Sequence, residues 1–238
     1  MPRSPLSHRP GRFLALLAGL ALATAVTTGF AAGQTSPPTH QAGGHDHSAQ
    51  VVQHKSQATL DATAFHDQMR KLWEDHVTWT RLAIVTFADG SAGFDATAAR
   101  LMRNQKDIGN AIKPFYGKAA GNQLTALLED HIGIAVELLQ AAQAGDDDAY
   151  AKANRAWYAN ADDIADFLAR ANPHHWPRAA MRAAMRGHLD MTLAEASHEL
   201  TGQYAASVAD YEEVHHHILG MADVLSSGIV RAFPRRFH

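Results

Sequence analysis

One pattern recurs three times in this chain and constrains its fold more than any other feature: a histidine followed 14 residues later by a glycine. The pairs are His76 with Gly90, His131 with Gly145, and His188 with Gly202. Around His131, apolar residues recur at steps of three and four, which is typical of one face of an amphipathic helix. The histidine lies in the middle of that face. We interpret the pattern as a tandem triplication in which each unit supplies one core histidine.

A second marker follows each glycine, and it predicts the partner helix of each unit. The three markers are Asp107-Ile108, Asp163-Ile164 and His217-Ile218. No alternating strand pattern is found, and Pro114 and Gly117 are expected to end the second helix before a third begins. The sequence therefore predicts an all-α fold, a six-helix bundle of three tandem helical hairpins. Approximate internal threefold symmetry is expected, because each hairpin is too small to bury its own apolar face.

The N-terminal region divides the chain into three parts. Three arginines precede an uncharged run over 13–30, and Ala31 and Gly33 provide the small residues for cleavage before Gln34. This pattern predicts a signal peptide over 1–33, a flexible histidine-rich linker over 34–60 and a helical domain over 61–238. The mature protein is expected to be periplasmic or secreted, without a stable membrane anchor after cleavage.

Composition excludes several functional classes. Three of the 21 basic residues lie in the signal segment, so the mature chain has 18 basic against 24 acidic side chains, a net charge of −6 with neutral histidine. This balance argues against a nucleic-acid partner, which requires clustered positive charge. There is no cysteine, which excludes disulfides, thiolate ligands and cysteine nucleophiles. Histidine is abundant, with 15 of its 16 copies after the signal segment.

The repeated histidines predict a metal site. A histidine on a core face is costly unless its ring nitrogens find partners, and equivalent positions on alternate helices of a closed bundle converge on the axis. Imidazoles and carboxylates are ligands for zinc, iron, manganese, nickel and copper. The candidate metal ligands are His76, Asp107, His131, Asp163, His188 and His217. Secondary candidates are Glu195, His198, Asn104 and Asn160.

Three functions are compatible with this constellation. The first is an exported metal-binding protein for metal buffering, sensing or delivery, with a mononuclear or dinuclear site in the core. The second is a metal-dependent enzyme that uses the same site and an open coordination position. The third is a periplasmic interaction module without metal, in which each histidine hydrogen-bonds to the aspartate of its own hairpin. The substitution of His217 for aspartate in the third unit favours the metal interpretation, since both residue types are metal ligands.

Three stretches also carry a resemblance to a known family. They are WEDHVTWTR at 73–81, RNQKDIGNAIKPFYG at 103–117 and WYANADDI at 157–164. Over residues 65–237 the chain resembles a poorly characterised family of secreted or membrane-attached, all-helical bacterial proteins. Its members sometimes carry enzyme names such as glycosyltransferase or acetylglutamate kinase. No motif for a nucleotide sugar or for ATP is found in this sequence.

Overall fold

The computed structural model describes residues 59–238, and this part of the chain is all-helical, as the sequence predicts. The signal peptide predicted for 1–33 and nearly all of the predicted linker lie outside the described residues. No helix within 59–238 combines the length and apolarity needed to cross a membrane. The helices are α1 (Ala62–Ala88), α2 (Phe94–Ala144), α3 (Asp147–Ala171), α4 (Arg178–Leu200), α5 (Tyr204–Ala232) and the short 3-10 helix Pro234–Arg236.

The number of helices differs from the prediction. The described residues form five α-helices rather than six, because helical hydrogen bonding resumes directly after the predicted break. The break itself is present inside α2, where Gly117 has φ 87° and ψ 167° and Pro114 precedes it by three residues. A positive φ is accessible to glycine at little cost. The chain therefore changes direction at one residue without a separate loop.

The two parts of α2 fold back on one another at this point. A methyl group added to Gly109 would lie 2.6 Å from the carbonyl oxygen of Gly121. In a straight helix these residues would be separated by roughly 18 Å along the axis. The absence of side chains at both positions permits the close contact between the two parts.

Successive helices pack against each other, and α5 returns to pack against α1, which closes the bundle. The turns after α1, α2 and α4 contain Gly90, Gly145 and Gly202, with φ values of 62°, 65° and 74°. These are the three glycines of the histidine–glycine pattern. Each one ends a helix that carries a core histidine, so α1, the second part of α2 and α4 all run from histidine to glycine.

The two ends of the described chain meet at the opposite end of α1. Leu60 forms an isolated β-bridge with Phe237. The amide of Leu60 donates to the carbonyl of Arg236 at 2.7 Å, and the amide of His238 donates to the carbonyl of Leu60 at 3.1 Å. Phe65, Phe115 and Phe237 pack their rings together beside this bridge. The C-terminal segment is thus tied to the start of α1.

Candidate functional site

Three buried histidines from three helices line one cavity. His76 of α1, His131 of α2 and His188 of α4 are 3%, 2% and 4% exposed. The cavity has a volume of about 50 Å³, and its other lining residues are mostly aliphatic. The ring centroids of His76 and His188 are 5.8 Å apart. We call these three residues the histidine cluster.

Burial keeps the histidine cluster neutral. Burial, and then the proximity of His131, lower the pKa of His76 to about 3, against hydrogen bonds from Gln105 and Asn104. Burial likewise lowers the pKa of His131 to about 4. The pKa of His188 is well below its ordinary value because of burial and then because of its imidazole neighbours. All three rings are therefore uncharged at neutral pH.

An asparagine fixes the ring of His131. The amide nitrogen of Asn160 donates to the carbonyl of Leu127 at 3.0 Å, so its Oδ1 is free to accept. This oxygen lies 2.8 Å from His131 Nδ1. Because the amide oxygen accepts, Nδ1 carries the proton and Nε2 keeps a lone pair. The ring also stacks on Trp157 with centroids 5.1 Å apart.

His76 has a weaker amide partner. Gln105 Nε2 donates to the carbonyl of Leu101 at 2.8 Å and lies 3.3 Å from His76 Nδ1. In this orientation Nδ1 of His76 accepts, and the proton is on Nε2. Gln105 Oε1 is buried without a hydrogen-bond partner among the described residues. Rotation of the amide would bring this oxygen to His76 and reverse the tautomer.

His188 has no such partner. Its Nδ1 is buried and without a hydrogen bond to any described residue. His217 of α5 stacks parallel to it, with centroids 6.4 Å apart. The Nε2 of His217 donates to the carbonyl of Ala184 at 2.9 Å. The third histidine is therefore the least constrained by hydrogen bonds.

One type of contact occurs beside each of the three core histidines. In each case, a side chain of the following helix donates to the carbonyl four residues before the core histidine. Asn104 bonds to Leu72 at 2.9 Å, Asn160 to Leu127 at 3.0 Å, and His217 to Ala184 at 2.9 Å. In position, His217 therefore corresponds to Asn104 and Asn160 rather than to the two aspartates.

The structure does not bring the predicted aspartates to the cluster. Asp163 is exposed and Asp107 is half-buried. Neither forms a hydrogen bond to a histidine within residues 59–238. Each lies three positions beyond the asparagine of its helix, which rotates it by about 60° around the axis. The inward position on both helices belongs to the asparagine.

The carbonyls of the core histidines also have donors of their own. Thr80 Oγ1 donates to His76 and Thr192 Oγ1 to His188, both at 2.8 Å. For His131 the donor is Trp157 Nε1 at 3.1 Å. Sequence reasoning missed this set, although a threonine four residues after two of the three histidines is a visible signal.

The secondary candidates Glu195 and His198 lie in a different polar group. Glu195 and Glu199 of α4 are buried, and Arg81 of α1 lies 3.3 Å from Glu195 Oε1 and 2.9 Å from Glu199 Oε2. Ser207 of α5 accepts from Arg81 and donates to Glu199 at 2.6 Å. We call these four residues the arginine cluster.

Burial raises the pKa of Glu195 to about 7, in opposition to the charge of Arg81 and its hydrogen bond. The one arginine thus faces two buried glutamate side chains, and the Glu195 carboxyl takes up a proton near neutral pH. His198 is outside this cluster and contacts Asp210 through Nδ1 at 2.5 Å. Sequence reasoning placed Glu195 inward but missed Arg81, which is 114 positions away and has no local signal.

Within residues 59–238, no group of three or more histidine, aspartate or glutamate side chains is already arranged to hold a metal ion. Comparison with family models, with curated proteins and with solved structures finds no match to this chain. The resemblance to a family of exported helical proteins therefore stays a prediction. The functional argument depends on the chemistry of the cavity.

Proposed function

We propose that this chain is an exported metal-binding protein and that the histidine cluster is its site. The ion would be a divalent transition metal such as zinc, iron, manganese, nickel or copper, and the role would be buffering, sensing or delivery. The observation that carries the proposal is that three neutral imidazoles from three helices line one cavity. Metal ligands must be deprotonated, and these rings meet that condition well below neutral pH.

The spacing of one ring pair and the free nitrogens of the cluster support this proposal. Two imidazoles bound to one zinc through nitrogen have centroids about 5 Å apart, since each Zn–N bond is about 2 Å long. His76 and His188 are separated by 5.8 Å. His131 has its Nε2 lone pair available, and His188 has no hydrogen bond to lose. His76 requires the rotation of the Gln105 amide.

We also propose that the site arose on three related hairpins with approximate threefold symmetry, if the two parts of α2 are counted separately. Support comes from the equivalent contacts to the carbonyls of Leu72, Leu127 and Ala184. Further support comes from the three positive-φ glycines after the histidine-bearing helices. Equivalent positions on such hairpins would converge on the axis, and the three histidines do line one common cavity.

The deciding experiment is metal analysis of the mature chain, purified without a histidine tag. The cavity is lined largely by apolar side chains, so an ion would enter the folded protein slowly. The protein is therefore refolded with zinc, copper, manganese, iron or nickel and then dialysed. We expect a bound metal and a raised melting temperature, because an ion that binds only the folded state stabilises it.

A matched pair of variants locates the ion. His131→Gln removes a ligand of the cluster, whereas His174→Gln changes an exposed histidine outside it. We expect His131→Gln to lower the metal content and His174→Gln to leave it unchanged. Equal metal content in both variants, or a parent protein without metal whose melting temperature ignores all five ions, would rule out the proposal.

One observation favours each alternative function. The cavity leaves space beside the three rings, as a metal-dependent enzyme would need for an open coordination position. The amide partners of His76 and His131 favour an interaction module without metal, because they satisfy the rings in the absence of an ion. For an interaction module without metal, His131→Gln would lower only the stability of the protein. Refolding with metal would then change neither the metal content nor the melting temperature.

A further inference from the structure

We propose that the cavity beside the histidine cluster binds small uncharged molecules. They would reach it from the end of the bundle that contains the turns at Gly90, Gly145 and Gly202. This inference deepens the proposed function by naming the class of ligand that the site admits. The role of such a molecule as a ligand of a bound metal rests on the proposed function. The existence of the cavity and of the route to it does not depend on that function.

The chemistry of the cavity wall selects the ligand. Its polar side chains besides the imidazoles are Thr80, Trp157 and Thr192. Each of these uses its proton to bond to a histidine carbonyl. The imidazole nitrogens and the lone pairs of the two threonine hydroxyls are thus the polar groups left for a bound molecule. An ion that the imidazoles do not ligate would lose its hydration without compensation from the aliphatic wall, whereas an uncharged molecule would lose little.

The size of the cavity sets a second limit. A water molecule requires roughly 10–15 Å³ of such volume. The cavity offers about 50 Å³. This is enough for a few waters or for one molecule of two or three heavy atoms, such as dioxygen. Larger organic substrates do not fit without movement of the helices.

The cavity extends along the bundle toward the turns. Its lining continues one and two helical turns beyond each histidine, through Ala83 on α1, Ala135 on α2 and Ala196 on α4. These helices run parallel from histidine to glycine. Alanines at these positions leave space on the axis where larger side chains would fill it.

A second, outer cavity lies at the end of this path. It has a volume of about 440 Å³ and is lined by residues at the ends of three helices, including Ala88, Gly145 and Thr201. Four residues line both cavities: Leu138, Leu139, Leu193 and Ala196. They form the partition between the histidine cluster and the outer cavity. A small movement of Leu193, which is only half-buried, would connect the two.

Dioxygen is a suitable probe, because it is small, uncharged and paramagnetic. The full mature chain, free of metal and labelled with carbon-13 in histidine and tryptophan, is studied by NMR under dioxygen pressure. We expect strong additional relaxation of the ring protons of His76, His131 and His188, although these rings are buried. Relaxation no greater than that of Trp176, which is buried outside both cavities, would overturn the proposal.

Three variants test the route. Ala196→Leu fills the partition and should remove most of the relaxation at the cluster, whereas Leu193→Ala opens the partition and should increase it. Ala153→Leu is the control, since Ala153 is equally buried but lines neither cavity. If Ala196→Leu does not fold, Leu193→Ala still decides. Unchanged relaxation in both partition variants would exclude this route, whatever the metal analysis shows.

Discussion

Helix α4 contributes to both the histidine cluster and the arginine cluster, which bury polar side chains in two different ways. His188 and Glu195 are seven residues apart on α4, and both are almost fully buried. In the histidine cluster, polar groups are kept uncharged. In the arginine cluster, a charge is retained and paired with carboxylates and a hydroxyl. The histidine cluster leaves nitrogen lone pairs for a ligand, whereas the arginine cluster leaves no nitrogen lone pair. The two clusters should therefore respond differently to pH and to substitution.

The largest expected effect is acid destabilisation by the histidine cluster. The folded-state pKa values of His76 and His131 are about 3 and about 4, below the ordinary 6.5. The unfolded chain therefore binds more protons below pH 6.5, and stability present above that pH is lost as pH falls. At pH 4 the loss should be about 3 kcal/mol for each of the two histidines. Urea unfolding followed by circular dichroism from pH 7.5 to 4 measures it.

The variant His131→Gln isolates one histidine in this titration. It cannot take up a proton, so its stability should fall by about 3 kcal/mol less than that of the parent between pH 7.5 and 4. His174→Gln is the control, since it changes an exposed ring. Parallel pH curves for the parent and His131→Gln would contradict the assignment of a buried, neutral His131.

The next effect concerns the arginine cluster. Arg81→Met leaves Glu195 and Glu199 buried without their cation, and the expected loss of unfolding free energy is about 3–5 kcal/mol. Arg70→Met is the matched control on the same helix, where Arg70 pairs with the more exposed Asp223. That change should cost about 1 kcal/mol or less. Equal losses in chemical denaturation would show that the arginine cluster is solvated.

Glu195 should oppose the histidines in its response to pH. Its folded-state pKa is about 7, above the ordinary 4.5. The stability contributed by its proton is therefore complete below pH 4.5 and is lost as pH rises through 7, by about 3 kcal/mol. Glu195→Gln, which mimics the protonated form, should remove this loss. Urea midpoints at pH 5 and pH 8 test it, and an unaltered difference between them would refute the protonation.

The smallest effect compares two members of the histidine cluster. His131→Phe leaves Asn160 Oδ1 buried without a donor and should cost about 1–3 kcal/mol. His188→Phe removes a nitrogen that has no partner, so its effect should stay within about 1 kcal/mol. Thermal unfolding of both variants without metal makes the comparison. A greater loss for His188→Phe would indicate a partner that the structure does not show.

Much of the fold was predictable, because the periodicity of the apolar residues directly reports the buried face of a helix. The limit of this reasoning is visible at Gly117. Proline and glycine predict a break, but they do not say whether a loop intervenes or helical bonding resumes at once. In α2 it resumes, and the predicted six helices are found as five.

The candidate site shows a sharper limit. The sequence analysis matched Asp107 and Asp163 with His217 because all three residues precede an isoleucine, whereas the contacts to the carbonyls of Leu72, Leu127 and Ala184 group His217 with Asn104 and Asn160. The distance from the preceding glycine is a better guide: Asn104, Asn160 and His217 follow it by 14, 15 and 15 residues. An error of three residues rotates a side chain by about 60° and is enough to move it from the core to solvent.

The bridge between Leu60 and Phe237 would allow the hairpins to follow one another in a different order along the chain. Because these residues lie side by side, a short linker could join 238 to 59, and the chain could be opened instead at Gly90 or Gly145. Circular permutants opened at exposed turns generally keep their fold. A permutant that begins with α2 or α3 would carry every contact of the histidine cluster in a new sequence order, so the core would be assembled by packing and not by the direction of synthesis.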